Sequence, residues 1–117
     1  MIGKILWNNV LNRRGIIYKV VVNNEYGGFS LSPEACDYLN EKYNLEIDRE
    51  YGFIDEQDIQ RHDKRLVEVV ELLGEKASGF CANLVVKEIY SKLYRVCEYN
   101  GNEWIETPDS QDWIIIE

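Results

Sequence analysis

The chain has 117 residues, 45% apolar and 29% charged, with a formal net charge of −8. That length is one domain, 1–117, able to bury roughly two-thirds of the surface its unfolded form exposes, and the composition argues against disorder. The acidic balance disfavours nucleic acid as a partner, because neutralising phosphates needs a basic face, and no apolar run approaches the ~20 residues of a membrane span.

In chain order, Met1 to Asn12 is ambiguous. Ile2, Ile5, Leu6 and Val10 fit one helical face, while the Asn12-Arg13-Arg14-Gly15 turn suits a hairpin. A strand is preferred because Ile16-Ile17-Tyr18-Lys19-Val20-Val21-Val22 follows directly, and Asn8 and Asn9 interrupt what a secretory signal would keep apolar. That second run is β-branched and nearly continuously apolar, which predicts a strand covered on both faces, central in its sheet. Gly27 and Gly28 then bend the chain into a helix start. Ser32 is placed as N-cap, Pro33 at the first helical position and Glu34 in the first turn, with Leu31 and Cys36 at hydrophobic-staple spacing. Ala35, Cys36, Leu39 and Tyr43 make the apolar stripe, and Asn44 suits a left-handed stop.

Residues 45–60 lack periodicity and are rich in acids. They read as an exposed loop, functional or mobile, whose aromatics Tyr51 and Phe53 fold back onto the body. Asp63 caps a second helix to about Leu73, with Leu66, Val69, Val70 and Leu73 inward and Gly74 as its end. Strands follow at Asn83 to Ile89 and Leu93 to Tyr99. Asn100-Gly101 marks a type I′ hairpin, which sets Tyr99 opposite Asn102, Glu98 opposite Glu103 and Cys97 opposite Trp104. A turn at Asp109 to Asp112 and a last strand at Trp113-Ile114-Ile115-Ile116 complete the reading. The sum is an α+β fold: a mainly antiparallel sheet of four to six strands with two helices packed on one face.

Three stretches carry a resemblance: Tyr26-Gly27-Gly28-Phe29-Ser30-Leu31-Ser32, Arg61-His62-Asp63-Lys64-Arg65-Leu66 running on to Gly74, and Glu98-Tyr99-Asn100-Gly101-Asn102-Glu103-Trp104. In that order they resemble a family of small uncharacterised proteins of tailed bacteriophages and large DNA viruses, over about residues 16–106. The family more often carries Asp-Gly at the hairpin, a change that keeps the turn chemistry. The resemblance implies a viral origin, supplies no settled activity and brings no catalytic residues.

Four features are candidate sites. The glycine corner presents backbone N–H groups as phosphate sites do, with Ser30 and Ser32 as hydroxyl donors and Tyr26 or Phe29 to stack on a base. Pro33 removes one N–H and no P-loop lysine follows, so a tight turn that only glycine tolerates is the preferred reading. Arg61 and Lys64 could clamp an anion at the second helix start, and any acid–base or metal role at neutral pH would fall to His62, the one histidine. The alternative there is a capped, solvated helix start. Glu98 and Glu103 face each other as like charges, to hold a cation or basic partner or to splay into water. Trp104, Trp113 and Ile114 to Ile116 either cover the sheet or leave an edge that pairs with a second copy in a homodimer. The three cysteines, Cys36, Cys81 and Cys97, lack metal spacing and read as reduced thiols of a cytosolic protein.

The expectation is a non-enzymatic viral accessory protein in the host cytoplasm, or in the virion, that binds a host protein or a small, nucleotide-like ligand without cofactor or metal. An anti-defence role is the sharper form. The alternatives are an enzyme acting on a phosphorylated ligand through Arg61, His62 and the glycine corner, and a virion structural protein.

Overall fold

A computed structural model describes residues 16–108. Their order is β1 (Tyr18–Asn23), α1 (Pro33–Tyr43), α2 (Lys64–Leu73), a 3-10 turn (Gly74–Ala77), β2 (Leu84–Ile89), β3 (Arg95–Tyr99) and β4 (Asn102–Glu106). The expected strand within 1–12 with its turn at 12–15, the turn at 109–112 and the strand at 113–116 lie outside the described residues.

The helices form where their end signals stand. Ser32 has extended backbone, and its Oγ accepts from the Ala35 N–H at 3.1 Å. The same hydroxyl donates to the Lys76 carbonyl at 2.5 Å, tying the start of α1 to the 3-10 turn. Losing such a cap costs about 1 kcal/mol. Pro33 opens α1 and Asn44 closes it at φ 55°. Asp63 caps α2 through the Arg65 N–H at 2.9 Å. Leu31, Ala35, Cys36 and Leu39 meet Leu66, Val69 and Val70 in one buried cluster. α2 packs on both β1 and β2, and α1 leans on α2 and the 3-10 turn.

β1 and β2 pair antiparallel, from Tyr18 opposite Ile89 to Asn23 opposite Leu84. Val20, Val21 and Val22 are all fully buried at consecutive positions, so both faces of β1 are covered, as its β-branched run predicts. β3 and β4 form the hairpin in the expected register, with Asn100 at φ 51° and Gly101 at φ 87°. The described strands nonetheless build two separate two-stranded ladders and not one sheet. From Val21 onward the second edge of β1 is met by side chains and loop backbone, and among the described residues no third strand pairs there.

The long loop also departs from expectation. Asn40 brackets it through both amide atoms, which bond the Ile47 N–H and carbonyl at 2.9 Å each. Gly52 accepts from the Leu31 N–H at 2.8 Å, and a Cβ on Gly52 would overlap the Leu31 carbonyl. Ile54 and Ile59 join the core. Tyr51 and Phe53 do not fold back: they stay 60% and 66% exposed, stacked on each other with centroids 6.1 Å apart. The glycine between them makes the inward contact, and its neighbours are turned out.

Candidate functional site

The glycine corner is occupied by the molecule itself. Gly27 N–H donates to the Asn100 carbonyl at 3.0 Å. Gly101 sits so close that a Cβ there would overlap Gly28 N and come within 2.8 Å of Gly27 C. Gly27 and Gly28 hold φ 120° and 105°, values that L side chains rarely adopt. The corner is thus a seat for the hairpin turn. Ser32 is spent on its cap, Ser30 is buried against Gly79, and Tyr26 stands exposed.

Asn23 locks this seat. Its side chain is fully buried, and Nδ2 donates to the carbonyls of Glu25 and Gly101 at 2.8 Å each. Its Oδ1 accepts from the Asn83 N–H at 2.8 Å. One amide thus joins the end of β1, the glycine corner, the approach to β2 and the hairpin turn.

Arg61 lies beside the corner but is fully engaged. Its guanidinium stacks 3.9 Å from the centroid of Phe29. Nη1 and Nη2 grip Glu103 at 2.5 and 2.8 Å, and Nε donates to Glu56 at 2.9 Å. Burial alone would lower the Arg61 pKa; the carboxylates of Glu103 and Glu56 together outweigh it, and the group stays charged. Arg61 also imitates a paired strand residue. Its carbonyl accepts from the Val21 N–H at 2.8 Å while Nη1 reaches the Val21 carbonyl at 3.3 Å. Glu103 adds the next rung, accepting from the Asn23 N–H at 2.7 Å. Both side chains of the pair are only 9% exposed.

Glu103 therefore does not splay into water, and the cation it meets is the molecule's own Arg61 guanidinium. Its cross-strand neighbour Glu98 bonds the Gly101 N–H at 3.0 Å and helps hold the turn.

His62 parts company with Arg61. It lines an open groove of about 960 Å³ that lies along the start of β1 and the outer side of α2. Ile17, Val67, Leu72 and Ile89 supply apolar surface, and His62 Nδ1 and the Tyr94 hydroxyl lie 2.6 Å apart at one end. The rings meet edge to face with centroids at 5.6 Å, and burial raises the Tyr94 phenol pKa. The acids of the groove are matched. Glu71 takes Lys19 at 2.8 Å, and Glu68 takes Lys42 at 2.7 Å and the Tyr43 hydroxyl at 2.5 Å. Lys64 and Lys92 make no ion pair among the described residues. The groove thus has an excess of positive charge in a protein of net charge −8.

Of the sequence-derived candidates, Gly27, Gly28, Phe29 and Arg61 come together, but around the molecule's own hairpin. His62 stands apart from them in the groove. Among the described residues no cluster of His, Cys, Asp or Glu could hold a metal ion, and no helix is long and apolar enough to cross a membrane. Cys36 is buried, with its thiol pushed up to about 11 by desolvation, and Cys97 is raised for the same reason, so neither is an activated nucleophile. Comparison with family models, curated proteins and solved structures finds no match.

Proposed function

We propose that this protein is a non-enzymatic binding module, and that its working surface is the groove holding His62. The observation that carries the reading is the groove's charge balance: apolar walls, matched acids, and Lys64 and Lys92 without carboxylate partners among the described residues. Such a surface suits a ligand with an apolar body and an anionic group. A nucleotide-like ligand remains compatible in its charge, at the groove and not at the glycine corner. The viral accessory role in a host cytoplasm rests on the sequence resemblance alone. Of the residues expected at a homodimer edge, Trp104 stands partly exposed on β4, and Trp113 to Ile116 lie outside those described.

The enzyme alternative needs Arg61, His62 and the corner in one concavity. The guanidinium is held by Glu103, Glu56 and Phe29, and His62 faces elsewhere, so the geometry favours the binding reading.

The test uses 1-anilinonaphthalene-8-sulfonate, an apolar anion whose fluorescence rises on binding. Native protein should show one saturable site. Leu72→Asp, at an exposed position, should weaken binding by about tenfold or more, the equivalent of losing most of one leucine contact. Lys64→Glu should weaken it several-fold. Absence of a saturable site, or affinities unchanged in both variants, would remove the reading.

A further inference from the structure

The groove has a feature that a small-molecule pocket does not need. Four consecutive residues line it: Ile17, which leads into β1, and Tyr18, Lys19 and Val20 within it. Neighbouring side chains of a strand point to opposite faces, so a groove touching all four wraps the strand's edge. The residues on either side of it agree: Lys19 reaches Glu71 on α2, while Tyr18 is opposite Ile89, which lines the groove with Tyr94.

That edge is the one that faces away from β2. Val21 and Asn23 send their N–H groups outward, to the Arg61 carbonyl and the Glu103 carboxylate. Alternation along an antiparallel strand aims the Lys19 N–H and carbonyl the same way. Here the substitute rungs stop. No backbone bond from Lys19 toward that side is made with the described residues. The Arg61–Glu103 pair closes the edge from Val21 onward, and the groove opens where the pair ends.

Resting on the groove reading above, we propose that the groove takes an extended segment of a partner protein, added as a strand to the edge of β1 at Ile17–Val20, with apolar and acidic side chains. Main-chain bonds to Lys19 would give the affinity. The apolar walls would hold alternate side chains, and Lys64 and Lys92 would select acids over bases. At about 3.3 Å per residue, the open edge accommodates a core of about four residues.

Three blocked heptapeptides test this: alternating Ile and Asp, alternating Ile and Lys, and the acidic peptide with N-methylated isoleucines. Binding is read by displacement of the anilinonaphthalene sulfonate and by hydrogen exchange of the Lys19 amide. The acidic peptide should bind and slow exchange at Lys19. The lysine peptide should be about tenfold weaker for two partly exposed charge contacts. N-methylation should weaken binding about fivefold for each hydrogen bond lost. The double variant Lys64→Glu with Lys92→Glu should reverse the preference between the acidic and basic peptides. Equal affinity of the N-methylated peptide, unchanged exchange at Lys19, or preference of native protein for the basic peptide would each overturn the strand-addition inference. If the dye binds its site and no peptide does, this inference fails and the groove reading stands; if the dye finds no site, the groove reading itself fails.

Discussion

Removing the Glu103 carboxylate tests the frame on which the groove depends. In Glu103→Ala, the Arg61 guanidinium keeps Phe29, Glu56 and the Val21 carbonyl but loses its bidentate partner. The Asn23 N–H loses its acceptor as well. Breaking one side of a buried ion pair costs about 3–5 kcal/mol, because a charge stays in place without compensation. Glu56 is well exposed and still holds Nε, which argues for the lower end, about 3 kcal/mol. That is a large share of the 5–15 kcal/mol typical of a domain. Equilibrium urea unfolding followed by circular dichroism measures it. Glu103→Gln should lie between, since one side-chain oxygen can still accept from Asn23 while the charge is gone. Replacing both partners, Arg61→Met with Glu103→Leu, should cost less than the sum of the single changes, because no unpaired charge remains. Glu106→Ala, at the exposed pair with Arg95, serves as the control and should leave the midpoint unchanged. A Glu103→Ala cost below about 1 kcal/mol, or strict additivity in the double variant, would refute the view that this pair closes the edge of β1.

Two further predictions concern the turn and the helix start. Asn100 and Gly101 both hold positive φ, but only at Gly101 would a Cβ overlap the glycine corner. Asn100→Ala should therefore cost about 1 kcal/mol by urea unfolding and Gly101→Ala at least about 3, adding overlap to backbone strain; equal costs would contradict the docking of the turn. The Asp63 carboxylate is held below its ordinary 3.8, first by the Arg65 guanidinium and then by the Arg65 N–H. A depressed carboxylate contributes stability that is present above its unfolded value and lost as pH falls through the folded one. Native protein should exceed Asp63→Asn in stability by a constant margin above about pH 5, and the margin should shrink below about pH 4. A margin independent of pH would show that Asp63 acts through its cap alone.

The parts legible in the sequence are those governed by short-range chemistry. Ser32 and Pro33, Asp63 and Gly74, and Asn100-Gly101 each act within a few residues, and each stands where its type predicts. The hairpin register followed from the turn type alone. What the sequence hid depends on partners far apart in the chain. Glu103 reads as one of two repelling glutamates until Arg61, 42 residues earlier, is brought beside it. Asn23 looks like the polar end of an apolar run, though a buried amide at a strand's end next to a glycine turn is the kind of residue that stitches segments together. Tyr51 and Phe53 misled because their hydrophobicity suggested burial, while the close approach belonged to Gly52. The two-ladder arrangement was hidden for a related reason: no local pattern announces that a strand edge will be satisfied by an arginine.

Arg61 and His62 show how one step of chain divides structural from binding chemistry. They are adjacent, at the point where the chain enters α2, so their side chains leave in different directions. Arg61 turns inward, where its carbonyl and guanidinium serve the backbone of Val21 and its charge is met by Glu103. His62 turns to the groove, where Tyr94 meets its ring. The inward residue also limits the outward one's site. Each rung that Arg61 and Glu103 supply to β1 is a rung that a partner strand cannot use, so the stretch left to a partner ends at Val20, ahead of the first such rung at Val21. Among the described residues this side-chain closure covers only the second half of β1, and Lys64 and Lys92 line the groove that runs along the first half.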